Sequence, residues 1–91
     1  MRSLRWEAEA FRQFQDALTH IASQNVTAAE ALAATTEKRL GSALRHPEIG
    51  RIGRVEGSRE LIVHPNYLVI YAVRETTIDV VRFLHTRQQY P

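Results

Sequence analysis

The sequence predicts an α+β domain in which a hairpin of two helices lies on a small antiparallel sheet. Two observations carry this prediction. The stretch from position 58, SRELIVHPNYLVIYAVRETTIDVVRFLHTRQQYP, holds three runs rich in β-branched and aromatic residues, at 59–63, 67–73 and 77–84. Turn chemistry fills the gaps, His64-Pro65-Asn66 and then Arg74-Glu75-Thr76. Gaps this short join antiparallel neighbours, because a parallel crossover needs a dozen residues or more. The second observation lies upstream, where apolar residues recur every third and fourth position, the helical period. A three-stranded meander cannot bury a face alone, so the helices must be its cover.

In chain order, Ser3–Trp6 alternates polar and apolar residues and can pair as an edge strand. From Glu7 the period changes: Phe11, Phe14, Leu18 and Ile21 recur at three and four, with Ala10 and Ala17 alongside. Glu7 and Glu9 sit in the first turn, where carboxylates favour the positive end of the helix dipole. The helix should end at 23–25, and its apolar stripe places Phe14 and Leu18 between hairpin and sheet. Thr27-Ala28-Ala29-Glu30 then fits a capping box, in which hydroxyl and carboxylate each satisfy an unpaired amide.

The second helix should run to Leu44, with Ala29, Leu32, Ala33, Thr36, Leu40 and Leu44 on one stripe. So much alanine lets the first helix approach closely in an antiparallel hairpin. Gly41 is its weak point, costing up to about 1 kcal/mol relative to alanine. Pro47 closes the element, with Arg45 and His46 in its last turn. Positions 48–57, with three glycines at 50, 53 and 57, read as the irregular stretch. No linker, repeat or low-complexity segment divides the chain, so residues 1–91 form one domain.

Composition narrows the function classes. There is no cysteine, hence no disulfide framework, thiolate nucleophile or thiolate metal site. No apolar run approaches the roughly 20 residues that span a bilayer. Acids interrupt MRSLRWEAEAFRQF where a secretory leader needs an apolar core, so a cytoplasmic protein without a membrane partner is expected. The net charge is +2, and the excess lies in one half: residues 1–44 carry five basic and five acidic side chains, residues 45–91 seven and five. Eleven of the twelve cations are arginine, Lys38 being the exception. Arginine's planar fork suits phosphates, carboxylates and aromatic faces, although scattered arginines also serve simply as a solvated surface.

Three stretches invite chemistry. The first, 50–57, resembles a phosphate loop in its glycines, but no Gly-Lys-Ser/Thr and no helix follow. It reads either as a tight loop exposing Arg51 and Arg54 or as a basic loop touching a phosphate backbone. The second is the last strand, where strict alternation sets Ile78, Val80, Arg82 and Leu84 on one face and Asp79, Val81, Phe83 and His85 on the other. Arg82 among aliphatics must be paired if buried, for instance with Glu60 on a neighbouring strand, or else be a ligand contact. The third is the tail, where His85 precedes Arg87 and Tyr90. A His or Tyr could assist proton transfer and an Arg could stabilise a phosphorane-like transition state; a hydrogen-bonded structural histidine is the alternative. His20, His46 and His64 have no ligand spacing, so neither a metal nor a cofactor is expected.

The ordered segments GRIGRVEGSRELIVHPNYLVIYAV and TIDVVRFLHTRQQYP resemble the RelE/ParE superfamily of toxins from bacterial type II toxin–antitoxin modules, also known as addiction or plasmid-stabilisation modules. A typical member runs Gly-Arg, Gly-Thr-Arg-Glu-Leu, a Pro-Tyr-led strand ending in Tyr-Arg-Val, then Leu-His-x-x-Gln/Arg. The matching positions are Gly53-Arg54, Gly57-Ser58-Arg59-Glu60-Leu61, the stretch 65–73, and Leu84-His85-Thr86-Arg87-Gln88. Trp6 and the hairpin around Asn25-Val26-Thr27 fit as well, so the resemblance covers nearly the whole chain.

It implies a toxin neutralised by a cognate antitoxin whose tail wraps it in a hetero-oligomer. RelE-like members cut mRNA on the ribosome, whereas ParE-like members block DNA gyrase. The nucleases usually present a lysine- and arginine-rich face and open the middle strand with arginine. Here that strand opens Asn66-Tyr67-Leu68, and the sheet has no lysine. The target-facing candidates are Arg51, Arg54, Arg59, Arg82, His85, Arg87 and Tyr90, with His85, Arg87 and Tyr90 catalytic only in a nuclease. The reading favoured is a toxin that binds gyrase; an mRNA endonuclease and a non-toxic interaction module are the alternatives. Within it, Arg82 is expected to pair inside the fold, with His85, Arg87 and Tyr90 facing outward.

Overall fold

The computed structural model describes residues 1–88, so Tyr90 lies outside the described residues. Helices α1 (Ala8–Ala22) and α2 (Val26–Arg45) cover one face of a mixed sheet. Its strands are β1 (Ser3–Trp6), β2 (Arg51–Ile52), β3 (Ser58–His64), β4 (Tyr67–Val73) and β5 (Thr77–His85), in the order β1-β5-β4-β3-β2. The fold is the expected α+β arrangement, with β3, β4 and β5 as the antiparallel meander. β1 is the edge strand and runs parallel to β5, with Leu4 beside Ile78 and Trp6 beside Val80. No helix of the described residues is long and apolar enough to cross a membrane.

α1 buries Ala10 and Phe14, with Leu18 and Ile21 partly buried against the same core. The Phe14 ring stacks on Trp6 at 4.9 Å and meets Phe83 at 5.0 Å. Phe11 departs from the predicted stripe. It is exposed and stands edge-on to Trp6 at 5.8 Å, because Ala10 holds the sheet-facing position and the next residue lies roughly 100° further round.

The cap of α2 also differs from the capping box expected at Thr27. Asn25 is the cap: its side-chain oxygen accepts the Ala28 amide at 3.0 Å, starting the helix two residues earlier. Leu32, Leu40 and Ala43 then face β3 and the passage into the sheet.

That passage, 46–52, is more ordered than the irregular stretch expected from the sequence. Pro47–Ile49 forms a short 3₁₀ turn, and Arg51–Ile52 pairs with Glu60 and Arg59. A two-residue strand has no periodicity for sequence patterning to detect. The fully buried Tyr71 pins the turn: its hydroxyl donates to the Pro47 carbonyl at 2.5 Å and accepts the Gly50 amide at 3.0 Å. Burial pushes the Tyr71 phenol above its ordinary pKa, which keeps it a donor. Arg59 grips the other side, Nη1 donating to the Gly50 carbonyl at 2.8 Å. Glycine is required here, since a β-carbon would lie 2.8 Å from the Tyr71 hydroxyl and 2.9 Å from the Glu60 carbonyl.

The faces of β5 overturn the predicted alternation. The register with β4 shifts between Ile70 and Tyr71: Ile70 stands opposite Arg82 and Tyr71 opposite Val80, leaving Val81 as an extra residue. This bulge resets the phase. Phe83 therefore joins Ile78 and Val80 in the core beneath the helices, while Leu84 joins Leu68 and Ile70 in a second apolar cluster on the opposite face. Past the end of β1, Gln13 of α1 accepts the Phe83 amide at 3.0 Å, so helix and strand stay joined there.

Phe14 is the centre of this packing. Phe14→Ala is expected to lower unfolding free energy by about 3–5 kcal/mol, measured by chemical denaturation. An unchanged midpoint in a folded variant would contradict the packing described.

Candidate functional site

The sequence placed its candidates on the last strand, the tail and the glycine loop, and the fold divides them between the two faces of the sheet. On the helix side, Tyr67 stands directly opposite His85 across β4 and β5. Its ring stacks on Phe83 at 5.4 Å and receives the His85 edge at 5.3 Å. The first turn of the tail fixes the imidazole further. The Arg87 amide donates to His85 Nδ1 at 3.1 Å, and the His85 amide donates to Gln88 Oε1 at 2.7 Å. The Thr86 amide donates to the Asn66 carbonyl at 2.8 Å, tying the tail to the preceding turn. Because Nδ1 accepts, the neutral ring carries its proton on Nε2.

His85 lines a cleft of about 280 Å³ with Gln13, Asp16, Ala17, Tyr67, Phe83 and Gln88. The Asp16 carboxylate there is paired with Arg12 at 3.0 Å, and the polar groups of the cleft can hydrogen-bond a partner. Among the described residues no arginine or lysine lines that cleft. Gln13 and Asp16 were invisible to sequence reasoning, since they sit some seventy residues upstream and share no motif with His85. Arg87 is exposed at the rim of the turn.

Arg82 lies on the opposite face, and the pairing expected with Glu60 does not form. Glu60 and Arg82 both stand opposite Ile70, one on each side, so a whole strand separates them. Glu60 is buried and takes Arg51, whose Nε lies 2.7 Å from its carboxylate. Arg82 is exposed at a cleft of about 260 Å³ floored by Val55, Ile70 and Val81 and edged by Glu7 and Glu9. The Arg12 guanidinium, and more weakly Arg82, holds the Glu9 carboxyl below its ordinary range. Arg54 is exposed in the loop 53–57, where Gly57 takes the positive φ of 83° that closes the turn.

The strongest electrostatic feature was missed by sequence reading. Asp79, its side chain 2% exposed, receives Arg74 at 2.6 Å and Arg5 at 3.3 Å. Hydrogen bonds from Arg74 first, then Thr77 and Arg5, hold its pKa down to about 2. The cluster rivets β1 and the β4–β5 turn to β5. Among the described residues no three His, Asp or Glu side chains gather to hold a metal ion.

With this geometry in view, comparison with known proteins decides the family. The model of the ParE toxin of the type II toxin–antitoxin system parDE matches residues 4–90. The chain belongs to that family. The Y4kP protein of Sinorhizobium fredii is 24% identical over 91 residues, 99% of this chain and 94% of that protein. Among solved structures, the chromosomal ParDE system of P. aeruginosa superposes with a TM-score of 0.80 at 18% identity, over 93% of this chain and 96% of that one. A YoeB/ParE toxin from Agrobacterium tumefaciens gives 0.68 at 13% identity, over 99% and 100%. The ParE-family chain is thus a type II toxin of the ParE/RelE superfamily, as its segments suggested.

The Asp79 cluster gives this family member a defined acid response. A carboxylate whose folded pKa is lowered stabilises fully above its unfolded value, near 4, and loses that stabilisation as pH falls toward about 2. Thermal melts of the wild type are expected to lose more stability between pH 5 and 2 than melts of Asp79→Asn. Parallel acid profiles for the two chains would contradict this role for Asp79.

Proposed function

We propose that this toxin acts by binding a target protein, with DNA gyrase favoured, and that a cognate antitoxin neutralises it. The observation that supports binding over RNA cleavage is the employment of the arginines. Attack by a ribose 2′-hydroxyl develops negative charge on the phosphate and the leaving oxygen, and catalysis places cations within hydrogen-bond reach of both. Here Arg5 and Arg74 are committed to Asp79 and Arg51 to Glu60, while Arg59 holds the turn at 48–50 through the Glu48 and Gly50 carbonyls.

The remaining groups do not converge. Among the described residues no arginine or lysine lines the His85 cleft, Arg12 being spent on Asp16 at its edge, and Arg82 stands on the other face of the sheet. The open face offers instead an apolar floor of Val55, Ile70 and Val81 with a polar rim, which suits a protein partner. Membership in the ParE family supports gyrase, since ParE-like toxins are the gyrase-directed branch of the superfamily, and a target there implies action in the cytoplasm. The likeness to a ParDE system supports an antitoxin and a hetero-oligomer. Of the candidates, Arg54, Arg82, Arg87, His85 and Tyr90 remain the proposed target-facing set, since Arg51 and Arg59 are engaged within the fold.

The test is controlled expression in a bacterium of wild type, His85→Ala and Arg87→Ala, following growth, RNA integrity and DNA breakage, with circular dichroism confirming the folds. Growth arrest with intact RNA is expected, the variants changing potency only as ordinary contacts do, by about 1–2 kcal/mol. RNA cleavage that falls by about 10²–10⁴-fold in a folded His85→Ala chain would establish the nuclease instead.

A further inference from the structure

Gly41 sits one turn before the end of α2. In a helix interior glycine ranks above only proline, because it loses the most backbone freedom and exposes the backbone. A fold explains such a residue when a β-carbon would strike a neighbour, as at Gly50. At Gly41 it would not: a β-carbon finds only the flexible end of the Arg45 side chain, at 3.9 Å. Among the described residues nothing inside the fold requires the glycine.

What the missing side chain leaves open is a cleft of about 580 Å³ between the end of α2 and the N-terminus, lined by Met1, Arg2, Gly41, Leu44, Arg45 and Pro47. Met1, Leu44 and Pro47 make its walls apolar. Its two cations are occupied lightly: Arg2 Nε donates to the Arg74 carbonyl at 2.7 Å, and Arg45 Nη2 to the Ser42 hydroxyl at 3.2 Å. Among the described residues neither pairs with a carboxylate, in contrast to Arg5, Arg12, Arg51 and Arg74. A guanidinium carries five N–H donors, so most of theirs remain to be used.

We infer that this cleft receives an acidic, amphipathic segment of a partner protein, one apolar side chain resting against Gly41 and carboxylates meeting Arg2 and Arg45. Glycine admits the partner's close approach. The two cations, without acids of their own, select its charge. The source of the segment rests on the antitoxin reading above; the place and chemistry of its seat rest on Gly41 and the two arginines. Apolar walls so close to the cations disfavour a nucleic-acid strand, whose phosphates seek an open basic groove.

The experiment titrates wild type, Gly41→Ala, Gly41→Leu and Arg45→Glu with the protein encoded by the neighbouring reading frame, and records the melting of each free chain. Gly41→Ala is expected to raise the free chain's melting temperature by several degrees while weakening the complex. Gly41→Leu should weaken it by roughly 10- to 100-fold, and Arg45→Glu by about 10-fold with a reduced salt dependence. A more stable free chain with a weaker complex is a combination that a purely structural glycine does not produce. Undiminished binding by a folded Gly41→Leu chain would overturn the seat and leave the antitoxin reading standing. No binding to the wild type would overturn that reading and the inference with it. Self-association of the free chain that Gly41→Leu abolishes would give the cleft to a second copy, and would also overturn the assignment.

Discussion

A run of aromatic rings holds this fold together and sets the direction of its best candidate side chain. Trp6 from the edge strand stacks on Phe14 of α1, Phe14 meets Phe83 of β5, Phe83 stacks on Tyr67 of β4, and Tyr67 receives the edge of His85. Ring centroids along it stand 4.9–5.4 Å apart, within the range where aromatic pairs add about 0.5–1.5 kcal/mol beyond their burial. The run crosses from β1 through a helix to the middle of the sheet, so it joins segments far apart in sequence. It also depends on the bulge at Val81, for without that extra residue Phe83 would face the other way and the run would break.

The same bulge separates the chemistry of the two faces. His85, in phase with Phe83, opens beside α1, while Arg82 falls on the open face with Leu68, Ile70 and Leu84. Two acids on the open face, Glu60 and Asp79, are buried, and a buried carboxylate must be matched by a cation. Neighbouring strands supply Arg51 and Arg5, and the β4–β5 turn supplies Arg74 for that purpose. Of the arginines that the sequence offered as target-facing, Arg51 therefore neutralises an acid inside the fold and Arg59 holds backbone carbonyls, while Arg82 and Arg87 stand apart. Dispersed charge can steer and orient a protein partner, whereas phosphoryl chemistry asks for charge focused on one point.

The meander, the hairpin and the edge strand were legible because each rests on a local period and local turn chemistry, which sequence displays directly. Phe14 and Leu18 were placed on the correct face for that reason. The faces of β5 were not, since a bulge is a one-residue slip decided by the partner strand, and strict alternation then errs for every residue beyond it. Asn25 as the cap of α2 left a signal, an Asn three residues before Ala28, but Thr27 with Glu30 offered a competing one. Gln13, Asp16 and the Arg5–Asp79–Arg74 cluster left none, because side chains up to seventy-odd positions apart meet only through the fold. The family was legible in the segments around Gly53-Arg54 and Leu84-His85. The choice between its targets turns on which arginines are already paired, and pairing is a property of three dimensions.

Whether this toxin grips a protein or cuts RNA is decided by two purified assays run side by side. One follows supercoiling by DNA gyrase, the other follows mRNA integrity on translating ribosomes, each across the same range of added toxin. Supercoiling is expected to stop in proportion to toxin while the message stays whole, as the proposed binding to gyrase requires. Message cut at ribosome-bound codons, with gyrase untouched at the same concentrations, would contradict it.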